Sequence, residues 1–172
     1  MASKLTLVVG GAASGKSAFA EQLCLGTARP RVYLATSQIW DDEMQAKVAR
    51  HLVQRGACWT THEAPLDLGP VLTGLAADSI CLLDCATMWL SNHLLADHDL
   101  ERAQADLIAA LTICPAEVVV VTNETGQGIV PDNKLARQFR EAQGRLNILL
   151  AQTADTVVQV SVGLPHVLKG QL

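Results

Sequence analysis

The sequence predicts an α/β fold: a mostly parallel sheet covered by helices in three layers, within 172 residues. Three observations predict it. Short apolar runs alternate with longer helical patterns along the chain. The runs are continuous rather than alternating, as in strands buried on both faces, and Val118-Val119-Val120-Val121 is the clearest. The first run passes through a glycine-rich loop directly into a helix.

The elements follow in order. Leu5 to Val9 reads as strand one, and a helix runs from about Lys16 to Leu25. Pro30 and Arg31 introduce a second strand, Val32 to Ala35. Asp41 or Asp42 can cap a helix reaching about Gln54. Trp59 to Glu63 is a short extended piece, and Leu66 to Ala76 is a helix. Ser79 to Asp84 is a strand built on Ile80-Cys81-Leu82-Leu83. Thr87 to Leu95 and Leu100 to Ile113 are helices, and Val118 to Val121 is the next strand. A polar, Gly-rich loop spans Asn123 to Asn133. Leu135 to Ala154 is a long amphipathic helix, and Thr156 to Val162 is the last strand. No linker, repeat or low-complexity stretch interrupts this order, which predicts one domain over residues 1–172.

Composition narrows the function. Hydrophobic residues make up 49% and aromatics only 3%, so the core must be aliphatic and disorder is excluded. The net charge of −4, with no basic block, argues against nucleic-acid binding. Five cysteines show no CxxC; Cys81 and Cys85 have no second pair to complete a zinc site. They read as reduced, mostly buried thiols. No leader is recognisable before the first strand, and no apolar run reaches the ~20 residues of a membrane span. A soluble, cytoplasmic protein is expected.

Gly10-Gly11-Ala12-Ala13-Ser14-Gly15-Lys16-Ser17 fits the phosphate-loop pattern GxxxxGK[ST], entered by a strand and left by a helix. Consecutive backbone N–H groups in such a loop converge on phosphate oxygens, and the helix N-terminus adds favourable partial charge. Lys16 would reach the β- and γ-phosphates, and Ser17 would ligate Mg²⁺. Asp84 closes its apolar run where a carboxylate can hold Mg²⁺ directly or through water. Contact with a ribose, or an ordinary helix cap, is open to the same residue. A regulatory GTPase would carry an Asn-Lys-x-Asp guanine-reading motif; none is present, and Thr122-Asn123-Glu124-Thr125 follows the Val118–Val121 strand instead.

On the segment after the second strand, Met44, Val48, His51 and Arg55 share one helical face. A neutral imidazole there could attack phosphorus while the Arg steadies phosphate charge. Taken alone, a single helical His is more often an ordinary core or surface residue.

These residues, with others, carry a resemblance that covers nearly the whole chain. The pieces are Gly10 to Ser17; Tyr33-Leu-Ala-Thr-Ser37; Asp41-Asp-Glu-Met44; Arg50-His51; Trp59 with Glu63 and Pro65; Trp89-Leu-Ser-Asn92; Thr122-Asn-Glu124; Gly128-Ile-Val-Pro131 with Asn133; Leu135-Ala-Arg137 with Phe139-Arg140; Gly144-Arg-Leu-Asn147; and Gly163-Leu-Pro165. The chain resembles the bifunctional adenosylcobinamide kinase / adenosylcobinamide-phosphate guanylyltransferase family. The resemblance implies a P-loop NTPase-type α/β/α fold assembled as a homotrimer. It implies phosphorylation of adenosylcobinamide with ATP or GTP. It further implies transfer of GMP from GTP, through a GMP–histidine intermediate, to give adenosylcobinamide-GDP. Carried over by position, His51 is the guanylylated residue, which reverses the ordinary reading of a lone His. The implied nucleotide contacts are Gly10 to Ser17, Ala35, Thr36, Ser37, Leu52, Val53, Gln54, Arg55, Glu63 and Asp84. Ala13 stands where many relatives have Arg, and Arg50 where some have a second His; neither removes a required group.

Other residues read more plainly. The Asn123–Asn133 loop is open between a corrinoid or subunit contact and a structural turn. His62, His93, His98 and His166 show no metal spacing. Arg137, Arg140 and Arg145 read as a solvated helix face. Trp40 and Trp89 could line a corrin site, although core packing is the commoner role. Two alternatives stay open beside the bifunctional enzyme: a P-loop small-molecule kinase without guanylyl transfer, and a GTP-binding regulatory module.

Overall fold

The computed structural model describes residues 4–38 and 58–172. Its elements are β1 (Leu5–Gly10), α1 (Lys16–Leu25), β2 (Arg31–Ala35), β3 (Trp59–Glu63), α2 (Gly69–Thr73), β4 (Ile80–Asp84), α3 (Ala86–Leu95), α4 (Leu100–Ile113), β5 (Glu117–Asn123), α5 (Lys134–Thr153), β6 (Thr156–Ser161) and β7 (Leu164–Lys169). The helix expected up to Gln54, with Trp40, His51 and Leu52 to Arg55, lies outside the described residues.

The seven strands form one sheet in the order β3-β2-β4-β5-β1-β6-β7. Every pair is parallel except β6–β7. Parallel neighbours need crossover connections, and the crossovers lay helices on both faces. On one face α1 buries Ala20 and Cys24 against Val8, Ile80, Leu82, Val119, Val121, Val158 and Val160. On the other, Leu7, Leu34, Leu83, Val118 and Val120 meet Leu90 of α3, Leu107 and Leu111 of α4, and Leu146 and Leu150 of α5. Each of these fully buried aliphatic side chains contributes about 1.5–3 kcal/mol of transfer free energy. With few aromatics available, the two layers are almost entirely Leu, Val, Ile and Ala.

Two expectations fail in detail. The helix expected over Leu66 to Ala76 is only the single turn Gly69–Thr73. The Asp67 side chain accepts from Gly69 N at 3.2 Å and Pro70 sets the first turn, so the chain before Gly69 is already committed to a turn. The turn stops at Gly74. The sequence reading also ended the sheet at Val162 and missed β7. Pro165 and His166 disguise that strand, but an antiparallel edge tolerates proline. Val162 and Gly163 both have positive φ, 49° and 79°, and Ser161 pairs with Leu164. That is the two-residue hairpin connection whose twist matches the strands.

Candidate active site

The strand order places the phosphate loop centrally. β1 feeds it, β5 lies beside β1, and β4 lies beyond β5. α1 begins immediately after it. Its N-cap, Gly15, is left-handed at φ 92° and no side chain caps the helix. By contrast Cys85, Asp99 and Asn133 cap α3, α4 and α5. The first-turn N–H groups of α1 are therefore not spent on a capping side chain, which is the arrangement that binds anions. Only glycine adopts the Gly15 conformation without strain.

The loop is braced from behind. Gly163 N donates to Ser14 O at 2.8 Å, so the β6–β7 turn supports it. A Cβ on Gly15 would stand 3.0 Å from Gly163 Cα, and one on Gly10 would stand 2.6 Å from Val160 O. Lys16 Nζ donates to Gly11 O at 3.1 Å, folding the side chain back over the loop. Ser14 Oγ is buried with no hydrogen-bond partner among the described residues. A cleft of about 300 Å³ opens between Gly11–Ser14 and the opposing Glu124, Gln127 and Gln159–Val162. Glu124 N donates to Gly10 O at 3.0 Å, which fixes the start of the loop after β5 against the phosphate loop.

Alternation along the strands brings further groups to the same face. Ile80 and Leu82 of β4, and Val119 and Val121 of β5, pack in the α1-side layer. Successive side chains alternate, so Asp84 and Asn123 stand on that face at the carboxyl edge of the sheet. Tyr33, in the same layer, donates its hydroxyl to Asp84 Oδ2 at 2.9 Å. Cys85 reports the convergence: burial, then the Asp84 carboxylate, push its thiol up to about 11, while Lys16 acts in the opposite sense. The same thiol accepts from Met88 N at 3.4 Å, so it is a protonated helix cap rather than a nucleophile. Cys24, Cys81 and Cys114 are buried and their thiols are raised by desolvation; all five cysteines are free.

The metal donors are sparse. Among the described residues no three His, Cys, Asp or Glu side chains could together hold a metal ion. Ser17, in the first turn of α1, and Asp84 offer one hydroxyl and one carboxylate on the α1 face. That set fits Mg²⁺, which keeps waters and phosphate oxygens in its shell, and not a cage-forming metal.

The remaining expected residues lie farther along the sheet edge. Ala35, Thr36 and Ser37 leave β2. The Thr36 hydroxyl is fully buried and committed: it donates to Cys85 O at 2.7 Å and accepts from Cys85 N at 2.9 Å. Glu63 is exposed at the end of β3. Four strand intervals separate β3 from β1, about 19 Å at ~4.8 Å each, so Glu63 is not a neighbour of the phosphate loop.

Several contacts escaped the sequence reading. Thr122 Oγ1 donates to Asn147 Oδ1 at 2.7 Å, and Gln143 Nε2 donates to both, at 2.9 and 2.8 Å. Asn147 Nδ2 then holds Asn123 O at 3.0 Å, and Thr87 Oγ1 accepts from Asn123 N at 2.7 Å. This network fixes the end of β5 beside the phosphate loop. Arg137 and Arg140 are not an idle solvated face. Arg137 Nη1 donates to Pro131 O and Asp132 O at 3.0 and 2.7 Å, and Arg140 Nη2 to Gly126 O and Gly128 O. They tie down the loop after β5. Arg145 does match the solvated reading, pairing with Glu141 one turn away. Trp89 is core, with its indole N–H on Leu66 O at 2.8 Å.

The sequence matches a known group of proteins. The family model described as cobinamide kinase / cobinamide phosphate guanyltransferase matches residues 6–168. The chain belongs to that family. Its curated relatives include the bifunctional adenosylcobalamin biosynthesis protein CobU of Salmonella typhimurium, 47% identical over 93% of this chain and 97% of that protein. CobP of Pseudomonas aeruginosa is 39% identical over 96% and 97%, and CobU of Escherichia coli 41% identical over 93% and 97%. Among solved structures, a type III secretion ATPase of pathogenic bacteria is similar with TM-score 0.59 at 10% identity, covering 95% of this chain and 56% of that one. That likeness shows the P-loop α/β fold alone. The chain is thus an enzyme of the family, and the alternative of a regulatory module without chemistry falls away.

Proposed function

We propose that this chain, acting as a single domain over residues 1–172, catalyses both reactions on a cobalamin precursor. In the first, the free hydroxyl of adenosylcobinamide attacks the γ-phosphorus of ATP or GTP, the bond to the β-phosphate oxygen breaks, the nucleoside diphosphate leaves and the hydroxyl proton passes to solvent. The phosphates lie on the backbone of Gly10 to Ser17, with Lys16 against the β- and γ-oxygens. Ser17 and Asp84 hold Mg²⁺, which supplies charge neutralisation on the phosphates. In the second, a ring nitrogen of His51 attacks the α-phosphorus of GTP. The bond to the β-phosphate oxygen breaks, pyrophosphate leaves, and the imidazole N–H proton passes to solvent. The adenosylcobinamide phosphate then displaces His51 from phosphorus, giving adenosylcobinamide-GDP, and the departing ring takes a proton back from solvent to restore the imidazole. Ala35, Ser37, Leu52 to Arg55 and Glu63 complete the nucleotide contacts; Thr36, expected among them, is instead buried behind the site with its hydroxyl spent on Cys85.

The observation that best supports the reading is the loop itself. An uncapped α1 N-terminus, Lys16 folded over Gly11, and Asp84 beside Tyr33 occupy one face of the sheet in a member of this family. We also take the enzyme to be a cytoplasmic homotrimer, because a small domain must enclose a large corrinoid and a subunit boundary provides such a groove. No described helix is long and apolar enough to cross a membrane.

The test uses two labels. GTP labelled at the α-phosphorus should leave an acid-labile, base-stable adduct on His51, and γ-labelled GTP should leave none. His51→Ala should abolish the adduct and guanylyl transfer while kinase activity persists. GMP found on another residue sinks the assignment; no adduct with the kinase intact favours a kinase without guanylyl transfer. Light scattering that shows an active, stable monomer refutes the trimer.

A further inference from the structure

One titratable side chain faces the phosphate loop across the cleft and has no task in the site described above. Glu124 is the first residue beyond β5, and it lines the cleft of about 300 Å³ opposite Gly11 to Ser14. The other described residues around that cleft offer hydroxyls, amides, backbone and hydrocarbon, so Glu124 is the only carboxylate, imidazole or amine among them. The chain fixes its position on both sides. Asn123, opposite Gly10 in the β1–β5 ladder, is held by Thr87 and Asn147, and Glu124 N itself donates to Gly10 O at 3.0 Å. Two residues on, Arg140 Nη2 holds Gly126 O.

The turn that follows aims the carboxylate. Gly126 N donates to Glu124 Oε1, and a Cβ on residue 126 would stand 2.9 Å from that oxygen. Gly126 has no positive φ, so it is this close approach, not backbone freedom, that calls for glycine there. The second oxygen, Oε2, has no hydrogen bond or ion pair among the described residues. Lys16 Nζ lies on Gly11 O at 3.1 Å. That ammonium serves the β- and γ-oxygens in loops of this kind, so the terminal phosphate belongs at the Gly11 end, beside the Gly10–Glu124 bond. Asp84 stands one strand farther from β1, on β4, and is engaged by Tyr33.

We propose that Glu124 is the general base of phosphoryl transfer, a role that deepens the kinase reading given above and rests on it. An acceptor hydroxyl entering the cleft attacks the γ-phosphorus from the side away from the leaving β-phosphate oxygen. The new O–P bond forms and the bond to the β-phosphate oxygen breaks. The hydroxyl proton passes to Glu124 Oε2 and from there to solvent, which restores the carboxylate. Guanylyl transfer to the acceptor has no such need. Its nucleophile is a phosphate, whose attacking oxygen already carries charge, so Glu124 is dispensable for that step.

The experiment compares Glu124→Gln and Glu124→Ala with wild-type and Lys16→Ala enzyme, using adenosylcobinamide with ATP and, in parallel, GTP. Glutamine keeps an acceptor for Gly126 N and removes only the base, so the turn survives. Loss of a general base costs about 10²–10⁴-fold, so kcat for phosphoryl transfer should fall about 100-fold or more in Glu124→Gln. Nucleotide Kd, and GMP transfer to preformed adenosylcobinamide phosphate, should stay within about threefold of wild type, because neither uses the base. Formate, a carboxylate small enough for the cleft, should raise Glu124→Ala turnover about tenfold or more with rising concentration, and should do nothing for Lys16→Ala. If Glu124→Ala does not fold, Glu124→Ser takes its place in the formate series. A smaller fall in Glu124→Gln, a parallel loss of nucleotide affinity or GMP transfer, or no response to formate overturns the inference. A wild-type enzyme that phosphorylates adenosylcobinamide from neither nucleotide instead overturns the underlying reading.

Discussion

Adjacent glycines of the phosphate loop should respond to alanine in opposite ways. A Cβ added to Gly10 would lie 2.4 Å from Ser14 Oγ and 2.6 Å from Val160 O. The serine can rotate away. The carbonyl cannot, because Val160 belongs to β6, which pairs with β1 up to Val9 and Gln159. Real Cβ atoms essentially never approach closer than 3.0 Å, so the two backbones must part by at least 3.0 − 2.6 = 0.4 Å. Forced expansion of a packed site costs about 1–3 kcal/mol. For a chain of this size that lowers Tm by about 2–12 °C. The shift falls at the mouth of the loop, so nucleotide affinity should weaken as well. Gly11 has nothing within 4 Å of its added Cβ, and Gly11→Ala should stay within ~0.5 kcal/mol of wild type. Thermal unfolding by circular dichroism at one fixed protein concentration, with nucleotide titration by calorimetry, reads both. Equal melting of Gly10→Ala and wild type, or equal losses in the two variants, would refute the reasoning.

Lys16→Ala should weaken nucleotide binding about 30-fold or more, from the loss of about 2 kcal/mol of charge-assisted contact, and should remove both turnovers; near-normal affinity would remove this loop from the site. Gln143→Leu leaves Thr122 and Asn147 without their shared donor, and a loss of about 1–3 kcal/mol should show in denaturant midpoints. His93 is held below its usual pKa, first by desolvation and then by the His98 charge, against the Leu66 carbonyl, which raises it. Asp67 and Asp106 line the same cavity of about 360 Å³. A histidine with a depressed folded pKa binds its proton more readily in the unfolded chain, so its contribution to stability is present above pH ~6.5 and is lost as pH falls below it. Denaturation followed from pH 7 to 5 should therefore slope less steeply in His93→Gln than in wild type. A thiol reagent applied to native enzyme should modify no more than one cysteine quickly, Cys58, since the other four are raised or buried.

The sequence by itself determined the parallel sheet, the phosphate loop and the family. Continuous β-branched runs such as Val118–Val121 can only be buried on both faces, and GxxxxGK[ST] between strand and helix carries its geometry in local backbone preferences. Those signals are local and periodic, so they survive without a structure. The helices α1 and α4 were legible to the residue for the same reason. What only the tertiary structure decided is non-local. The loop brace needs Ser14 and Gly163, 149 residues apart, and β7 shows its strand character only once the Val162-Gly163 turn lays it against β6. The Leu66–Ala76 helix shrank to one turn because Asp67 and Pro70 fix the local backbone more strongly than the apolar pattern does. Thr36 was an expected nucleotide contact, and Asn92, Thr122 and Asn147 lay in the segments that carry the resemblance, but none of them, nor Gln143, showed its hydrogen-bond partner in the sequence. A polar side chain advertises nothing about its partner in the sequence. It is burial that obliges each hydroxyl or amide to find one, and burial is fixed only when the whole sheet has assembled.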